Sequence, residues 1–410
     1  MYRPTTSLIR PSLQAMLLSL LLLAGCGKQP HVDETPRLEL AGSHETVPLA
    51  AALTPYAAGL RSWGELEEPL RLSLDYLDCM PQHEIAATSG DTGITWRQLR
   101  ASAAELLGLL SLLDHTPTLL AERFEWLAVR PRTLLTGYYE PWIEVSTEQS
   151  EEYPYPLYGK PENLKTVDLG IFSDKLKGER ITYRVEDGEV RPYYGRKEID
   201  FEGVLQDQGT AVAWAKDLVD IFVLQIQGSG RLVYPDGAVR HILYAGQNGH
   251  KYVSLGRVLV DRGHLQKEGM SMQRIREFLK ANRELMPELL SCNPSYVFFK
   301  VDDSGPYGAM GRIITPMASV AVDRKLVPLG AVLFMDTTLP QPDGAEARFQ
   351  SLVLAQDTGG AIKGTRFDLF CGSGEQAEFL AGHLQNEARM YVLVSKAALR
   401  SWEYRAAVSR

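Results

Sequence analysis

One acidic side chain near the end of the sequence lies in surroundings that suit proton transfer. Asp368 stands between Phe367 on one side and Leu369 and Phe370 on the other. A carboxyl group among apolar side chains loses solvation, so its charged form is disfavoured and its pKa rises. A general acid that works near neutral pH needs such a raised pKa. Asp368 is therefore a candidate general acid, although on this stretch alone a Gly- and Asp-rich β-turn without chemistry is the favoured interpretation.

A second carboxylate, Asp357, precedes Asp368 in the same glycine-rich stretch. Asp357 follows an apolar run typical of a buried strand, and Gly359 and Gly360 come directly after it. Glycine allows close approach to the main chain. We therefore expect exposed amides there, together with the nearby Lys363, to keep Asp357 ionised. An ionised Asp357 would disfavour a second charge nearby.

Two familiar motifs resemble parts of this region but fit poorly. The run GGAIKGT places lysine before the glycine, whereas a phosphate-binding loop has the order G-K-[ST]. Asp357, Asp303 and Asp91 each begin a D-[TS]-G triplet like that of aspartic proteases, which need two aspartates close enough to share a proton. Too little chain follows Asp357 for a second lobe, and no apolar strand precedes the other two. An aspartic protease therefore stays as the weaker alternative.

The composition excludes some classes of function. The formal net charge is −8, which disfavours a nucleic-acid partner because phosphate binding needs clustered Lys and Arg. A length of 410 residues allows two ordinary domains. The histidines form no HExxH or similar ligand pair, and the cysteines show no CxxC spacing, so we expect no metal and no disulfide framework. The cysteines are Cys26, Cys79, Cys292 and Cys371.

The first residues read as a lipoprotein signal peptide. A basic segment with Arg3 and Arg10 precedes an apolar run over 13–24 that is too short to span a bilayer. The run ends in Leu-Ala-Gly-Cys, which resembles a bacterial lipobox, so residues 1–25 would be removed and Cys26 would carry lipid. Gly27, in place of aspartate, favours the outer membrane by resemblance to sorted lipoproteins. We expect a lipid-anchored protein on the periplasmic face of that membrane, tethered by the flexible segment 26–50.

The rest of the chain reads as mainly β with helices, an α+β fold. Thr95 and Gln98 form a capping box before a helical pattern, and another candidate helix covers 119–129. The segment 143–245 is richer in short strands than its surroundings. We therefore predict one domain from 51–142 and 246–410, and a smaller β domain inserted at 143–245. The junction between them is a natural place for a ligand groove.

Two short segments carry polar groups that suit sugar binding. The segment 134–140 reads as a strand in which Tyr138 and Tyr139 point to opposite faces, so at most one lies in the core and the other could stack on a sugar. The apolar run 221–226 reads as a strand that ends in a glycine-rich hairpin with Gln227 and Ser229. Their polar side chains could bond sugar hydroxyls, although a plain hairpin is the default interpretation of this segment. A surface tyrosine beside a turn fits the spacing in 134–140 as well as a sugar-stacking tyrosine does.

Several of these segments together resemble one family. The motifs TGYYEP (136–141), IQGSGR (226–231), YAGQNGH (244–250), the block 305–330 and DTGGAIKGTRFDLFCGSG (357–374) are similar, in the same order, to the membrane-bound lytic murein transglycosylase A family. The resemblance implies a double-psi β-barrel domain, an inserted β domain and a glycan groove between them. It maps the catalytic aspartate to Asp368 and the other motif aspartate to Asp357. It also marks Thr136, Tyr138, Gln227, Ser229 and Lys363 as substrate-binding candidates.

The resemblance further implies cleavage of the β-1,4 bond from N-acetylmuramic acid to N-acetylglucosamine, with 1,6-anhydromuramic ends. One aspartate would serve as acid and then as base, without a metal or organic cofactor. The partners would be peptidoglycan strands and the outer membrane. Cell-wall synthesis or division proteins are further candidate partners, and the residues single out none of them. A peptidoglycan-binding lipoprotein without turnover is the second alternative.

Overall fold

The structure is a computed structural model that describes residues 35–89, 92–268 and 270–400. The strands of the first part are β1 (Arg37–Leu40), β2 (Ile85–Ser89), β3 (Thr92–Thr95), β4 (Phe124–Arg130), β5 (Thr133–Glu140), β6 (Trp142–Ser146), β7 (Tyr155–Tyr158), β8 (Lys165–Asp168), β9 (Arg180–Glu186) and β10 (Glu189–Pro192). The later strands are β11 (Ala211–Ala215), β12 (Ser229–Val233), β13 (Val239–Gln247), β14 (Val297–Asp302), β15 (Ser319–Ala321), β16 (Val332–Pro340), β17 (Glu346–Asp357), β18 (Arg366–Ser373) and β19 (Gln385–Ser395). The helices are α1 (Ser43–Ala51), α2 (Glu67–Asp78), α3 (Trp96–Leu113), α4 (Leu119–Arg123), α5 (Leu218–Gln227), α6 (Leu255–Asp261), α7 (Met272–Ala281), α8 (Met286–Ser291) and α9 (Glu375–His383).

In the described part of the chain, six strands close into a barrel. Their order is β5-β18-β15-β17-β16-β19, and β19 pairs with β5 to complete the ring. The β5–β18 and β15–β17 pairs are parallel, and the others are antiparallel. Closure leaves no unpaired edge within the ring. Trp126 of the adjoining β4 packs against Phe334 and Tyr391, with ring centroids 4.7 and 5.4 Å away. The predicted fold class, mainly β with helices around a barrel, is confirmed.

A second sheet, with order β14-β13-β12-β6-β11-β7, forms its own core with α5 to α8. Ile143 of the sheet, Phe222 of α5 and Leu279 of α7 belong to one buried cluster. The strands β8 to β10 form a separate three-stranded sheet in the described residues. We expected the inserted domain to end at residue 245, but β13 pairs with β14 at Val297–Asp302. The inserted unit therefore reaches about residue 302, because its helices and last strand come after the predicted boundary.

The segment before residue 51 differs from the predicted tether. From Arg37 onward it forms β1, which pairs with β4, and then α1. Leu38 and Leu49 are buried in the barrel core. The predicted tether is therefore wrong from Arg37 onward, because apolar residues such as Leu38 and Leu49 have a surface to pack on. The remaining tether residues, 26–34, lie outside the described part.

Helix boundaries follow local signals where those signals are specific. The capping box predicted at the start of α3 is confirmed: the Thr95 hydroxyl accepts from the Gln98 amide, and the Gln98 side chain accepts from the Thr95 amide. The predicted helix over 119–129 is only half right, because it ends at Arg123 and β4 follows.

The predicted strand over 221–226 is wrong, because this segment is helix α5. The Asp217 side chain accepts from the Val219 amide at 2.9 Å and caps the start of the helix. Gly228 has a φ of 86° and donates its amide to Leu224 O at 2.8 Å, as a helix C-cap does. Gly228 therefore ends a helix rather than forming a hairpin turn.

Cys26 and the predicted signal peptide 1–25 lie outside the described residues. Within the residues that the structure describes, no helix has the length and apolar character needed to cross a membrane. Cys79, Cys292 and Cys371 are free thiols, and Cys371 is buried.

Candidate active site

Asp368 lies within β18 rather than on a turn, and only one of the apolar residues beside it in sequence lies on its face of the strand. Successive side chains of a strand point to opposite faces. Phe367 and Leu369 accordingly enter the barrel core, whereas Phe370 lies in a separate buried cluster on the side of Asp368. The predicted apolar wall is therefore right for Phe370 and wrong for Phe367 and Leu369.

The Asp368 carboxylate is held by a residue of the neighbouring parallel strand. Thr136 of β5 stands directly opposite Asp368 and donates its hydroxyl to Asp368 Oδ1 at 2.6 Å. The Arg366 guanidinium in turn donates to Thr136 Oγ1 from Nη2 and Nε, at 3.3 and 3.4 Å. The three side chains form a chain of donors that ends on the carboxylate.

These surroundings raise the pKa of Asp368 to about 6, chiefly because the carboxyl loses solvation. The Thr136 hydrogen bond and the Arg366 charge lower the pKa, and the Asp357 charge raises it. The direction predicted from the sequence is thus present in the structure, although its source is the fold rather than the adjacent residues. A carboxyl with this pKa can hold a proton near neutral pH and release it readily.

Asp357 is the last residue of β17 and accepts three hydrogen bonds. The Tyr138 hydroxyl donates to Oδ2 at 2.8 Å, and the Ala309 and Thr358 amides donate to Oδ1 at 2.9 and 2.8 Å. Loss of solvation raises the pKa of Asp357, and these three donors oppose the rise because they stabilise the charged form. The predicted role of Lys363 is not seen: its side chain is exposed and makes no bond to Asp357 in the described part of the chain.

A glycine brings the Ala309 amide to Asp357. A Cβ on Gly308 would lie 2.4 Å from Gln356 O and 2.6 Å from Ile314 Cγ2. Any side chain at this position would push the segment away from the end of β17. Gly308 therefore permits the hydrogen bond from the next residue, and this contact joins segments that are far apart in sequence.

The two aspartates flank the short strand β15. Ala321 of β15 is paired with Asp368 on one side and with Asp357 on the other. Their backbones are therefore about two strand spacings apart, or ~10 Å. Tyr138, Phe370, Ile314, Ala321 and Ile362 form the buried apolar cluster beneath them. This arrangement suits two carboxylates with separate tasks rather than a pair that shares one proton.

The inserted unit contributes less directly than predicted. Gln227 Oε1 accepts from the Tyr139 amide at 3.0 Å, so its side chain holds the strand beside Tyr138. Ser229 is partly buried at the start of β12. Tyr138 and Tyr139 are both buried, which corrects the expectation that one of them is free to stack on a sugar. Each lies in a different cluster on its own face of β5.

Sequence reasoning missed a buried ionic group between the two sheets. Glu140 is only 1% exposed and contacts Arg231 Nε at 3.4 Å and His241 Nδ1 at 3.2 Å. Burial raises the pKa of Glu140, and both basic partners lower it. Arg366 and the Ala309 amide were missed as well. Glu140 could have been found from the sequence, because it is the acidic residue at the end of the strand that carries the motif TGYYEP. No feature of the sequence signals the contact of the Ala309 amide.

Two family descriptions match the sequence. "MltA specific insert domain" matches residues 134–300, which include the second sheet and its helices. "3D domain" matches residues 318–394, which include β15 to β18, α9 and nearly all of β19. The two matches therefore cover both the inserted unit and most of the barrel.

Curated relatives align with the same part of the chain. Membrane-bound lytic murein transglycosylase A of Vibrio cholerae is 35% identical over 265 residues, which are 63% of this chain and 65% of the relative. Its counterpart in Escherichia coli K12 is 36% identical over 263 residues, which are 63% of this chain and 64% of the relative. The chain thus spans slightly less than two thirds of the length of the curated relatives it matches.

Solved structures extend the similarity over most of the chain. A membrane-bound lytic murein transglycosylase from Agrobacterium tumefaciens has a TM-score of 0.74 and 30% identity, covering 89% of this chain and 99% of that chain. E. coli MltA with bound chitohexaose has a TM-score of 0.66 and 26% identity, and the similarity covers 90% of this chain and 97% of that chain. The resemblance inferred from the motifs is confirmed. The chain belongs to the membrane-bound lytic murein transglycosylase A family.

Proposed function

We propose that this protein is a peptidoglycan lytic transglycosylase. It cleaves the β-1,4 bond between N-acetylmuramic acid and N-acetylglucosamine and leaves 1,6-anhydromuramic ends. The observation that carries the proposal is the Asp368 carboxyl on β18, whose pKa is raised to about 6 and which accepts a hydrogen bond from the Thr136 hydroxyl. Family membership supports the substrate class, as does the E. coli relative with bound chitohexaose.

In the first step, neutral Asp368 donates its proton to the glycosidic oxygen. The bond from that oxygen to C1 of the muramoyl residue breaks, and positive charge develops at C1 and the ring oxygen. In the second step, ionised Asp368 takes the proton of the muramoyl C6 hydroxyl. The oxygen of that hydroxyl bonds to C1 at the same time and closes the 1,6-anhydro ring. No water is consumed, and Asp368 ends in the protonated state in which it began.

An intramolecular nucleophile makes a second acid/base group unnecessary. The C6 hydroxyl belongs to the sugar under attack, so proximity favours it over water. Asp357 stays charged in this scheme, since three donors stabilise its carboxylate. Its negative charge faces the developing cation and also helps Asp368 to keep its proton. Tyr138 acts as a positioning residue because its hydroxyl is bonded to Asp357.

The other substrate-binding assignments divide into two groups. Thr136 directs the catalytic carboxylate, and Gln227 supports β5 through the Tyr139 amide. For Ser229 and Lys363 the proposed role is direct hydrogen bonding to the glycan, since the Lys363 side chain is exposed and Ser229 is partly exposed. Each of the latter two offers a hydrogen bond that typically contributes ~0.5–1.5 kcal/mol.

The anchoring of the protein also remains a proposal. Its relatives are named membrane-bound enzymes, which supports membrane association. We propose that lipid on Cys26 holds the protein at the periplasmic face of the outer membrane, where it meets peptidoglycan. Replacing Cys26→Ala should release the protein from sedimenting outer membranes, and persistence in that fraction would refute the anchor.

Mass spectrometry of murein fragments tests the proposed reaction. The purified protein is incubated with murein sacculi, and released fragments should carry 1,6-anhydro ends, about one water lighter than hydrolysed ends. Reducing ends would show a hydrolase, and no release would favour the peptidoglycan-binding alternative. Released peptides and inhibition by pepstatin would favour an aspartic protease. That alternative is disfavoured by Asp303, which is exposed and paired with Arg240, while Asp91 lies outside the described residues.

A further inference from the structure

A cavity of about 340 Å³ lies where the barrel meets the inserted unit. Its walls come from the end of β5, the start of β6, α7 and the beginning of α9. The lining residues are Tyr139, Glu140, Pro141, Trp142, Arg276, Gly374, Glu375 and Glu378. This cavity is distinct from the candidate catalytic site, because Tyr139 points to the face of β5 opposite Thr136 and Tyr138. Helix α9 covers that face, and a Cβ on Gly137 would lie 3.0 Å from Ala381 Cα.

Two polar groups at the cavity wall lack well-placed partners. The Tyr139 hydroxyl belongs to a side chain that is 4% exposed, and within the described residues no acceptor meets it with good hydrogen-bond geometry. Burial raises the pKa of Tyr139 and the Arg276 charge lowers it, while the Glu378 carboxylate, a nearby but poorly placed acceptor for the hydroxyl, adds to the rise. The Nε of Arg276 is also buried and unbonded in this part of the chain. Because a buried donor without a partner costs free energy, both groups mark a place where a ligand can supply the missing bonds.

The charges around the cavity favour a ligand with a positive group. Arg276 Nη1 is shared between Asp220 and Glu378, each at a long 3.5 Å, and Glu375 is exposed beside them. Two carboxylates thus flank one guanidinium, and a third, that of Glu375, lines the same cavity. Trp142 is 53% exposed in the same wall, and an aromatic face attracts an ammonium group.

A negative group of the ligand also has a place to bind. Helix α9 begins at Glu375, and its N-cap residue Gly374 has no side chain to satisfy the first amides. Such amides carry partial positive charge and bind carboxylates. Together with the Arg276 guanidinium, they provide donors near the carboxylates that attract the ammonium group. The cavity therefore fits a small group that carries both charges.

We propose that this cavity binds the free amino-acid end of a diamino acid in a peptidoglycan stem peptide. The ammonium group meets Glu375, Glu378 and Trp142, and the neighbouring carboxylate meets Arg276 and the start of α9. The ligand class rests on the proposed function, since peptidoglycan carries such peptides on its muramoyl residues. The site would let the enzyme distinguish stem peptides by their third residue while Asp368 acts on the glycan.

Isothermal titration calorimetry with soluble peptides tests this assignment. The probe is L-alanyl-γ-D-glutamyl-meso-diaminopimelate, and the matched control peptide has the side-chain amine acetylated. We expect the probe to bind the full chain and the acetylated peptide to bind at least about tenfold more weakly, since charge-assisted hydrogen bonds are lost. Equal affinity for the two peptides, or no binding of the probe at millimolar concentration, would overturn the proposal.

Protein variants provide the second arm of the test. Glu375→Gln and Arg276→Gln should each weaken probe binding by about tenfold. The matched control is Glu277→Gln, an exposed change on α7 that lies outside the cavity lining and should leave affinity unchanged. Glu375 is exposed at a helix end, so its change should leave the fold intact. Unchanged affinity in both cavity variants would contradict the proposal.

The binding assay separates this inference from the proposed reaction. Asp368→Asn should bind the probe as tightly as the unaltered protein, because the cavity lies on the other face of β5. If murein is cleaved but the probe does not bind, the cavity assignment fails and the proposed reaction stands. If the probe binds but no murein is cleaved, the proposed reaction fails and the cavity assignment stands.

Discussion

Asp368 and Asp357 lie on the two sides of β15 and are both partly buried, yet different groups hold them. Asp357 accepts three hydrogen bonds, two from backbone amides and one from a phenol. Asp368 accepts one from Thr136, with Arg366 behind it. The surroundings of Asp357 satisfy a charged carboxylate, whereas those of Asp368 leave an oxygen free to carry a proton.

This difference teaches that burial alone does not decide which carboxyl is the acid. Loss of solvation raises the pKa of both groups. The number and kind of donors then separate them, because each donor stabilises the charged form. The roles proposed for the two acids differ for this reason, and variants that remove one acid at a time can test the distinction.

The largest expected effect follows from Asp368→Asn. Asparagine keeps the shape and can still accept from Thr136, but it cannot donate a proton to the glycosidic oxygen. General acid–base catalysis typically contributes ~10²–10⁴-fold, so kcat should fall by that factor. The measurement is the rate of anhydro-fragment release from sacculi, with circular dichroism to confirm the fold. A variant that keeps more than about a tenth of the activity would mean that another group is the acid.

Asp357→Asn should cost less, roughly tenfold to a hundredfold in kcat, because it removes an electrostatic contribution rather than the proton itself. Its amide oxygen can still accept from Ala309 and Thr358, so the turn should keep its structure. Tyr138→Phe is the matched change, since it removes one donor and leaves the charge. We expect it to lose less activity than Asp357→Asn, and the same release assay measures both. Equal losses for Asp357→Asn and Asp368→Asn would remove the distinction between the two acids.

Stability should respond to pH at Asp368. A carboxyl whose pKa is raised on folding stabilises the folded state most at pH values below its ordinary pKa of 3.8. This stabilisation is lost as the pH rises through the raised pKa of about 6. Above pH 6, Asp368→Asn should therefore be more stable than the unaltered protein by about 1–3 kcal/mol. Urea unfolding at pH 4 and pH 7.5 measures the difference, which should be smaller at the lower pH. A variant that is less stable at pH 7.5 would contradict the raised pKa.

The smallest effect should come from the inserted unit. Gln227→Ala removes the acceptor of the Tyr139 amide and so loosens the strand beside Tyr138 and Asp357. One such bond contributes ~0.5–1.5 kcal/mol, which corresponds to a loss of roughly twofold to tenfold in kcat/KM. Ser229→Ala serves as the comparison on the same connection. A loss as large as that of Asp368→Asn would place Gln227 in the chemistry itself.

Local sequence signals predicted the elements whose patterns are specific. The apolar run before Asp357 is part of β17, and the capping box at Thr95 begins α3. The run 221–226 predicts a strand but forms part of a helix, because a uniformly apolar segment has no period that separates strand from helix. The capping residues Asp217 and Gly228 are the local signals that indicate a helix here.

The site divides in the same way. Asp368 and Asp357 could be singled out from the sequence as candidates because motif and chemistry agreed on them. Their partners were not, because strand pairing brings Thr136 to Asp368 and Gly308 brings the Ala309 amide to Asp357. Lys363 is near in sequence and exposed, while Arg366 makes the contact. Distances along the chain do not reveal which segments a closed barrel places side by side.

Carboxyl-carbon NMR titration of protein labelled at its aspartates tests the central claim most directly. The resonances are assigned from Asp368→Asn and Asp357→Asn, in which one signal disappears. In the unaltered protein, we expect the Asp368 signal to titrate near pH 6. In Arg366→Gln it should titrate at higher pH, because a cation is removed. In Asp357→Asn it should titrate at lower pH, because an anion is removed. An Asp368 signal that titrates at or below the ordinary value for aspartate, or an Asp357 that holds its proton to higher pH than Asp368, would contradict the assignment of Asp368 as the acid.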